Sequence, residues 1–348
     1  EIKELMKEDK FKRVFELALR IEGVVRQVGV HACAVIISEK PLLEYTALQY
    51  PPKDKKYMLC QYSMKPLEAL GLLKMDFLGL RNLTILQVAL KIIQRTQGVK
   101  IDISNLPLED KKTFELFSRG ETKGVFQFES EGMRKWLREL KPDNIEDIIA
   151  MVSLYRPGPM SWIPVYVGKK HGLKMQFPDE VAKQNFTSLE RLLKKYPEIK
   201  EVLDTTNMIP IYQEQILQIA QRFSGFSLGE ADLLRRAIGK KIMAELLAQK
   251  EKFIEGAKNL GRDPVDAKFL FESGIEPFAD YGFNKSHAAC YALISYQTAY
   301  LKAHYPTEFM TALLSTVEDN TEKLIVQLED ATSMGIQILQ PDINESLV

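Results

Sequence analysis

Gly71-Leu72-Leu73-Lys74-Met75-Asp76-Phe77-Leu78-Gly79-Leu80-Arg81 alternates apolar and charged residues before a glycine break. Successive side chains of a β-strand point to opposite faces, so the pattern predicts a strand through residues 72–77. Leu73, Met75 and Phe77 then share one face, turned into a core. Lys74 and Asp76 share the other, about 7 Å apart at two residues' rise. A strand with one buried face and a cation beside a carboxylate on the other is built like an active-site strand. An ordinary half-buried strand with an exposed ion pair has the same pattern, and spacing alone does not separate the two.

The segments around this strand read as follows. Ile2, Leu5, Met6, Phe11, Val14, Phe15 and Ala18 recur at helical spacing, which predicts one or two amphipathic helices over residues 1–22. Ala34-Val35-Ile36-Ile37 suits a short strand, and Pro51-Pro52-Lys53-Asp54 a turn. From Asn82 onward helix dominates, with Ile85, Val88, Ala89, Ile92 and Ile93 in one stripe. Asp143 or Asn144 caps a helix that ends near Arg156-Pro157-Gly158-Pro159. Residues 161–182 mix Gly, Pro and polar residues and read as a loop or small strands. Helices are predicted over 213–223 and 242–260. Ser227-Leu-Gly-Glu230 has the form of a capping box. A further helix over 288–303 stops before Pro306. The expectation is a mainly α protein with a small α/β part at its front.

Composition narrows the function classes. The 348 residues include 47 Lys and Arg against 47 Asp and Glu, so bulk charge gives no argument for nucleic acid and any basic surface is local. Cys33, Cys60 and Cys290 are few and widely separated, which argues against a disulfide framework and against a zinc site, and fits a reducing cytoplasm. No apolar run is long enough to cross a bilayer. Glu1 opens in mid-helix, so the chain reads as a piece of something larger.

Lys74-Met-Asp-Phe-Leu-Gly-Leu-Arg-Asn-Leu-Thr84 resembles the last palm strand of the C family of bacterial replicative DNA polymerases. Five further blocks agree in the same order: Gly124-Val-Phe-Gln-Phe-Glu-Ser-Glu-Gly-Met133, Ser153-Leu-Tyr-Arg-Pro-Gly-Pro159, Ile211-Tyr-Gln-Glu-Gln215, Ala231-Asp-Leu-Leu-Arg-Arg-Ala-Ile-Gly-Lys-Lys241 and Tyr281-Gly-Phe-Asn-Lys-Ser-His-Ala-Ala288. The resemblance runs essentially from Glu1 to Val348. It implies the end of a thumb over 1–31, the second part of a polymerase-β-like palm over 32–81, and a large helical fingers domain over 82–348. The implied reaction is template-directed addition of a deoxynucleoside monophosphate to a primer 3′ end. The implied cofactor is magnesium, two ions held by three palm aspartates. Asp76 matches the third and is the catalytic and metal-binding candidate. The segment that carries the other two is not in this sequence, so the chain by itself is expected to be inactive. Implied partners are primer–template DNA, a dNTP, the remainder of the polymerase chain, and a sliding clamp and other replisome subunits through regions outside this sequence. No membrane partner is implied, and the implied compartment is the bacterial cytoplasm.

Lys74 either neutralises charge on primer or triphosphate or holds Asp76 ionised, and the two roles are compatible. Arg235 and Arg236 are neighbours on a helix, with Lys240 and Lys241 one turn on. That pattern fits a solvated basic face near a helix C-terminus, but the resemblance assigns it to the triphosphate pocket. Asn284-Lys285-Ser286-His287 opens a helix, and no acidic residue occurs from Tyr281 to Tyr305. Lys285, Ser286 and His287, with Lys302 and His304 further on, therefore read as a positive helix start suited to phosphate. Arg156 either caps its helix or contacts template or nucleotide phosphate. Tyr212 and Gln213 could reach a base or sugar, though Tyr212 is equally a core candidate. His31 and the polar patch Gln127, Glu129 and Ser130 receive no role. The alternative function is a non-catalytic helical nucleic-acid-binding module derived from a fingers domain; a nucleotidyltransferase that uses no template is a further option.

Overall fold

A computed structural model describes residues 5–24, 27, 29–31, 33–52, 55–240, 243–277, 282–317, 320–340 and 342–344, without the side chains of 239, 240 and 243. The expected turn at Lys53-Asp54, and Lys241 and Tyr281 of the quoted blocks, lie outside the described residues. The chain forms two compact units, Glu1–Leu80 and Arg81–Val348. It is mainly helical with a few short strands.

In the first unit, helix α1 spans Asp9–Ile21 as its apolar spacing predicts, although none of its residues is buried. Strand β1 (Ala34–Ile37) is followed by the short strands β2 (Leu48–Gln49) and β3 (Leu59–Cys60), helix α2 (Met64–Ala69) and strand β4 (Leu73–Asp76). β1 and β4 pair antiparallel with Ala34 opposite Asp76 and Ile36 opposite Lys74; β2 pairs with β3.

The strand is where the periodicity predicts it, but the covered face is the opposite one. Leu73 is 56% exposed and Phe77 67%, with Met75, Val35 and Ile37 also exposed. The sheltered face carries Leu72, Lys74, Ala34 and Ile36, because α2 packs on that side and its Leu67 is buried with Leu72. Alternation sorts side chains into two sets; which set is covered depends on where α2 lies.

The second unit holds α3 (Arg81–Gln97), α4 (Lys111–Arg119), α5 (Glu131–Leu140), α6 (Ile145–Leu154), α7 (Ile163–His171), α8 (Glu180–Lys195), α9 (Pro197–Asp204), α10 (Gln213–Ser224), α11 (Leu228–Lys240), α12 (Met243–Asn259), α13 (Pro264–Phe269), α14 (Lys285–His304), α15 (Pro306–Val317) and α16 (Thr321–Ser333). Three apolar clusters hold it together. One joins α4–α7 to α14, a second joins α8–α13, and the third packs α3 against α15. Ile85, Ala89 and Ile93 of the α3 stripe are buried in the third. α14 lies against α4 and α6 and meets them with small residues, Ala288, Ala292 and Ala299, which let the helix axes approach.

Residues 163–171 correct the loop reading. They form α7, preceded by a 3₁₀ turn over Pro159–Trp162. Pro164 falls in the first turn, where a missing N–H costs nothing. Gly172 ends the helix with φ 64° in the left-handed region. Burial of Ile163, Val165, Tyr166 and Val167 outweighs the weak helix propensity of the β-branched residues.

The caps follow the expectation. Asn144 Oδ1 accepts the Asp147 N–H at 3.0 Å and opens α6. Asn284 Oδ1 accepts the His287 N–H at 2.8 Å and opens α14. Ser227 and Glu230 form the capping box: Glu230 Oε2 accepts the Ser227 N–H at 2.7 Å, and Ser227 Oγ accepts the Glu230 N–H at 3.3 Å. Lys252 of α12 adds an ion pair to Glu230 at 2.7 Å. The Lys252 ammonium, then the Ser227 hydrogen bonds, hold the Glu230 carboxyl down at about 2, against an ordinary 4.5. A depressed carboxylate contributes stability above its unfolded value and loses it as pH falls through the folded value. The box should therefore stay intact at pH 4.5 and open as pH approaches 2. NMR titration of the Glu230 carboxyl checks this, and a midpoint near 4.5 would contradict it.

Candidate functional site

Asp76 closes β4. Phe77 N–H donates to the Cys33 carbonyl at 2.8 Å, so pairing continues past the end of the strand, and His31 and Cys33 lie alongside Asp76. Lys74 Nζ lies 3.2 Å from Asp76 Oδ2, and His31 Nδ1 lies 3.6 Å from Oδ1. Cys33 Sγ is 3.6 Å from the same imidazole nitrogen. The Lys74 side chain is 19% exposed and that of Asp76 47%, so the ammonium is seated and the carboxylate accessible. Exposed ion pairs contribute about 0–1 kcal/mol, so this one matters more for orienting the carboxylate than for folding. Beside the pair lies a cleft of about 320 Å³ lined by residues that include His31, Ile36, Cys60, Tyr62, Leu67 and Lys74.

In the second unit a parallel bridge joins Tyr212 to Phe283, with Gln213 N–H donating to the Phe283 carbonyl at 2.8 Å and Phe283 N–H to the Ile211 carbonyl at 3.0 Å. This sets the starts of α10 and α14 side by side. The Arg156 guanidinium stands over the Phe283 ring, 4.4 Å from its centroid, while its Nε donates to the Ser153 carbonyl at 2.7 Å. It is therefore both a helix cap and part of this surface. Burial lowers the Arg156 pKa from its ordinary value. The His287 ring packs on Tyr291 at 4.3 Å and on Phe283 at 5.6 Å, and Ser286 is exposed in the first turn of α14. Tyr212 is core, 1% exposed, with Lys285 Nζ 5.3 Å from its ring centroid.

The start of α14, in a segment with no acidic residue of its own, receives carboxylates from other helices. Lys285 N–H donates to both Glu214 oxygens, at 3.1 and 2.9 Å, and Lys285 Nζ lies 3.1 Å from Glu146 Oε2. Glu214, in the first turn of α10, thus serves two helix starts, where negative charge is favoured. Lys302 and His304 add no surface charge there: Lys302 is buried and paired with Asp330, and His304 Nε2 lies 2.9 Å from Asp110.

Arg235 and Arg236 share one carboxylate. Arg235 Nε bonds Asp232 Oδ1 and Arg236 Nε bonds Asp232 Oδ2, each at 2.8 Å. These guanidinium groups, Arg235 first, hold the Asp232 carboxyl below its usual range. The Arg236 side chain is 60% exposed and that of Arg235 35%. Lys240 ends α11, and its side chain is outside the described residues. Among the described residues, no hydrogen bond, ion pair or ring contact joins Arg235 or Arg236 to the Arg156, Lys285 and His287 group. Asp232 was missed, although its place three and four residues before the arginines is a readable signal. Glu146 and Glu214 were missed because their partner is far away in sequence.

Residues 82–261 match the family described as bacterial DNA polymerase III alpha subunit finger domain. The chain belongs to this family. Residues 1–79 match a second description, bacterial DNA polymerase III alpha NTPase domain. A DNA polymerase III subunit alpha from Thermus aquaticus is 50% identical over 343 residues, covering 99% of this chain and 27% of that protein. Those of Halalkalibacterium halodurans and Bacillus subtilis are 47% and 43% identical, over 97% and 99% of this chain and 29% of each relative. The chain thus spans between a quarter and a third of the length of these DNA polymerase III alpha subunits. No helix among the described residues is long and apolar enough to cross a membrane.

Proposed function

We propose that the chain is part of the catalytic core of a template-directed DNA polymerase, adding deoxynucleoside monophosphates to a primer 3′ end by nucleotidyl transfer. The observation that carries this is an accessible carboxylate, Asp76, held at the end of a paired strand beside Lys74, in a chain of the DNA polymerase III alpha family. On this reading residues 1–31 end the thumb, 32–81 are the second part of the palm and 82–348 are the fingers. The division into units at residues 80 and 81 supports the palm–fingers border.

Magnesium takes hard oxygen ligands and keeps several waters, so Asp76 fits as one ligand; the neighbouring imidazole and thiol do not suit it. Two such ions, when bound, stabilise the attacking and leaving oxygens of phosphoryl transfer. The further carboxylates belong, on this reading, to the remainder of the polymerase chain. Asp76 supplies a fixed negative charge at the transfer point, and Lys74 orients it. Arg156, Arg235, Arg236, Lys240, Lys285, Ser286 and His287 are the proposed contacts to triphosphate or DNA phosphate, and Arg235, Arg236 and Lys285 converge on the triphosphate. Primer–template DNA and a dNTP are the substrates, a sliding clamp and other replisome subunits the partners, and the bacterial cytoplasm the compartment. Primer extension by the full-length polymerase tests the reading. Incorporation that follows template sequence supports it; incorporation indifferent to template, or DNA binding with no incorporation, overturns it.

Arg236 offers the more accessible guanidinium of the α11 pair, so Arg236→Ala in the full-length polymerase should mainly raise KM for nucleotide. Loss of one charge-assisted hydrogen bond is worth about 1.5–3 kcal/mol, roughly ten- to a hundredfold. Steady-state kinetics against dNTP concentration measures this. A collapse of primer–template affinity with unchanged nucleotide dependence would move the residue from the nucleotide pocket to DNA.

A further inference from the structure

His31, Cys33 and Asp76 each offer one ligand atom, and the three atoms lie within 4.8 Å of one another. The pairs that share His31 Nδ1 are both 3.6 Å apart. Donors around a tetrahedral zinc ion, at bond lengths of about 2.0–2.3 Å, lie about 3.3–3.7 Å from each other. Two edges of the triangle thus already have the spacing of a tetrahedral site. Separation of the cysteines in sequence argued against zinc, but this cluster needs only one of them.

The platform is fixed by strand pairing. Asp76 ends β4, Cys33 directly precedes β1, and the Phe77 N–H to Cys33 carbonyl bond locks the two segments together. The carboxylate divides its oxygens: Oδ1 faces His31, while Oδ2 is engaged by Lys74 at 3.2 Å. A hydrogen-bonded or ion-paired outer group of this kind orients a metal-ligating carboxylate. The competing contact is the Cys33 N–H, 3.4 Å from His31 Nδ1, which a metal would replace. His31 and Asp76 are exposed and Cys33 partly so, which leaves a way in and room for water at a fourth position.

We propose that His31, Cys33 and Asp76 form a binding site for a thiophilic divalent transition metal such as Zn²⁺. A thiolate with an imidazole selects Zn²⁺ or Co²⁺ over Mg²⁺, whereas a lone carboxylate does not. A zinc ion seated here takes up the carboxylate that the polymerase reading assigns to magnesium, so the two metals compete for Asp76. The zinc site itself does not depend on that reading.

The test is a Co²⁺ titration of the reduced, metal-free full chain, followed by Zn²⁺ competition against a chromophoric chelator. The expected result is a thiolate-to-cobalt charge-transfer band that Zn²⁺ displaces and a large excess of Mg²⁺ does not. Cys33→Ser should abolish the band, and His31→Gln should weaken metal affinity by more than the roughly 10–100-fold typical of losing an outer-shell partner. Cys290→Ser and Cys60→Ser should leave both unchanged; burial raises the pKa of the Cys60 thiol, which disfavours its thiolate. Circular dichroism of each variant separates lost binding from lost folding. A band that is absent in the unmodified chain, that survives Cys33→Ser, or that disappears in Cys290→Ser overturns the proposal. Either result leaves the template-dependence experiment to judge the polymerase reading separately.

Discussion

Asp76→Asn in the full-length polymerase should lower the turnover number by orders of magnitude while primer–template affinity stays near that of the unmodified enzyme. The substitution keeps side-chain volume but removes the charge that the proposed role as a ligand for a hard cation requires. Loss of outer-shell partners at metal sites costs about 10–100-fold, and a direct ligand costs more, so about two orders of magnitude is the lower bound. Folding should hardly change, because the Lys74 partner pairs with a carboxylate that is already 47% exposed. Single-turnover primer extension, beside a DNA-binding isotherm, separates the two effects. Turnover within a few fold of normal would remove Asp76 from the chemistry, and a parallel loss of DNA binding would make it a contact residue instead.

Asp330→Ala should produce the largest loss of stability. Lys302 is 1% exposed, and its Nζ lies 2.7 Å from Asp330 Oδ2 and 2.7 Å from the Lys123 carbonyl. Burial lowers the pKa of this lysine, which shows how poorly its charge is solvated there. Removing the aspartate leaves an ammonium in the interior with one neutral acceptor. Breaking a buried pair from one side costs about 3–5 kcal/mol. Replacing both partners, as in Lys302→Met with Asp330→Leu, should recover most of that loss, since no charge is then stranded. Urea unfolding of the single and double variants measures both. A single-variant loss below about 1 kcal/mol, or a double variant no better than the single, would show that the pair is not desolvated as its burial indicates.

Much of the secondary structure is legible because its causes are local. The stripe of Ile85, Ala89 and Ile93 makes α3 amphipathic, and Asn144, Asn284 and the Ser227–Glu230 box cap helices through atoms a few residues apart. Period-two alternation places β4, and the family blocks single out Asp76 within it; the structure ends the strand at that residue. The pairing of Asp232 with Arg235 and Arg236 is equally local and was open to the same reading. The loop expected at 161–182 fails over residues 163–171 for another reason: Pro164 and Gly172 look like breakers, yet they stand at the first turn and the end of α7, the positions where they are tolerated.

Three features are absent from any local pattern. The covered face of β4 depends on the side from which α2 approaches, so Lys74 is sheltered while Leu73 and Phe77 are exposed. The start of α14 receives carboxylates from Glu214 and Glu146, which come from other helices. The His31, Cys33 and Asp76 triangle exists only because β1 and β4 pair in one register; a one-residue slip would turn Asp76 to the other face of the sheet. Helix caps and side-chain periods are decided within a few bonds of the residues that show them, whereas charge neutralisation and metal-ligand geometry depend on groups brought together through space by strand register and helix packing.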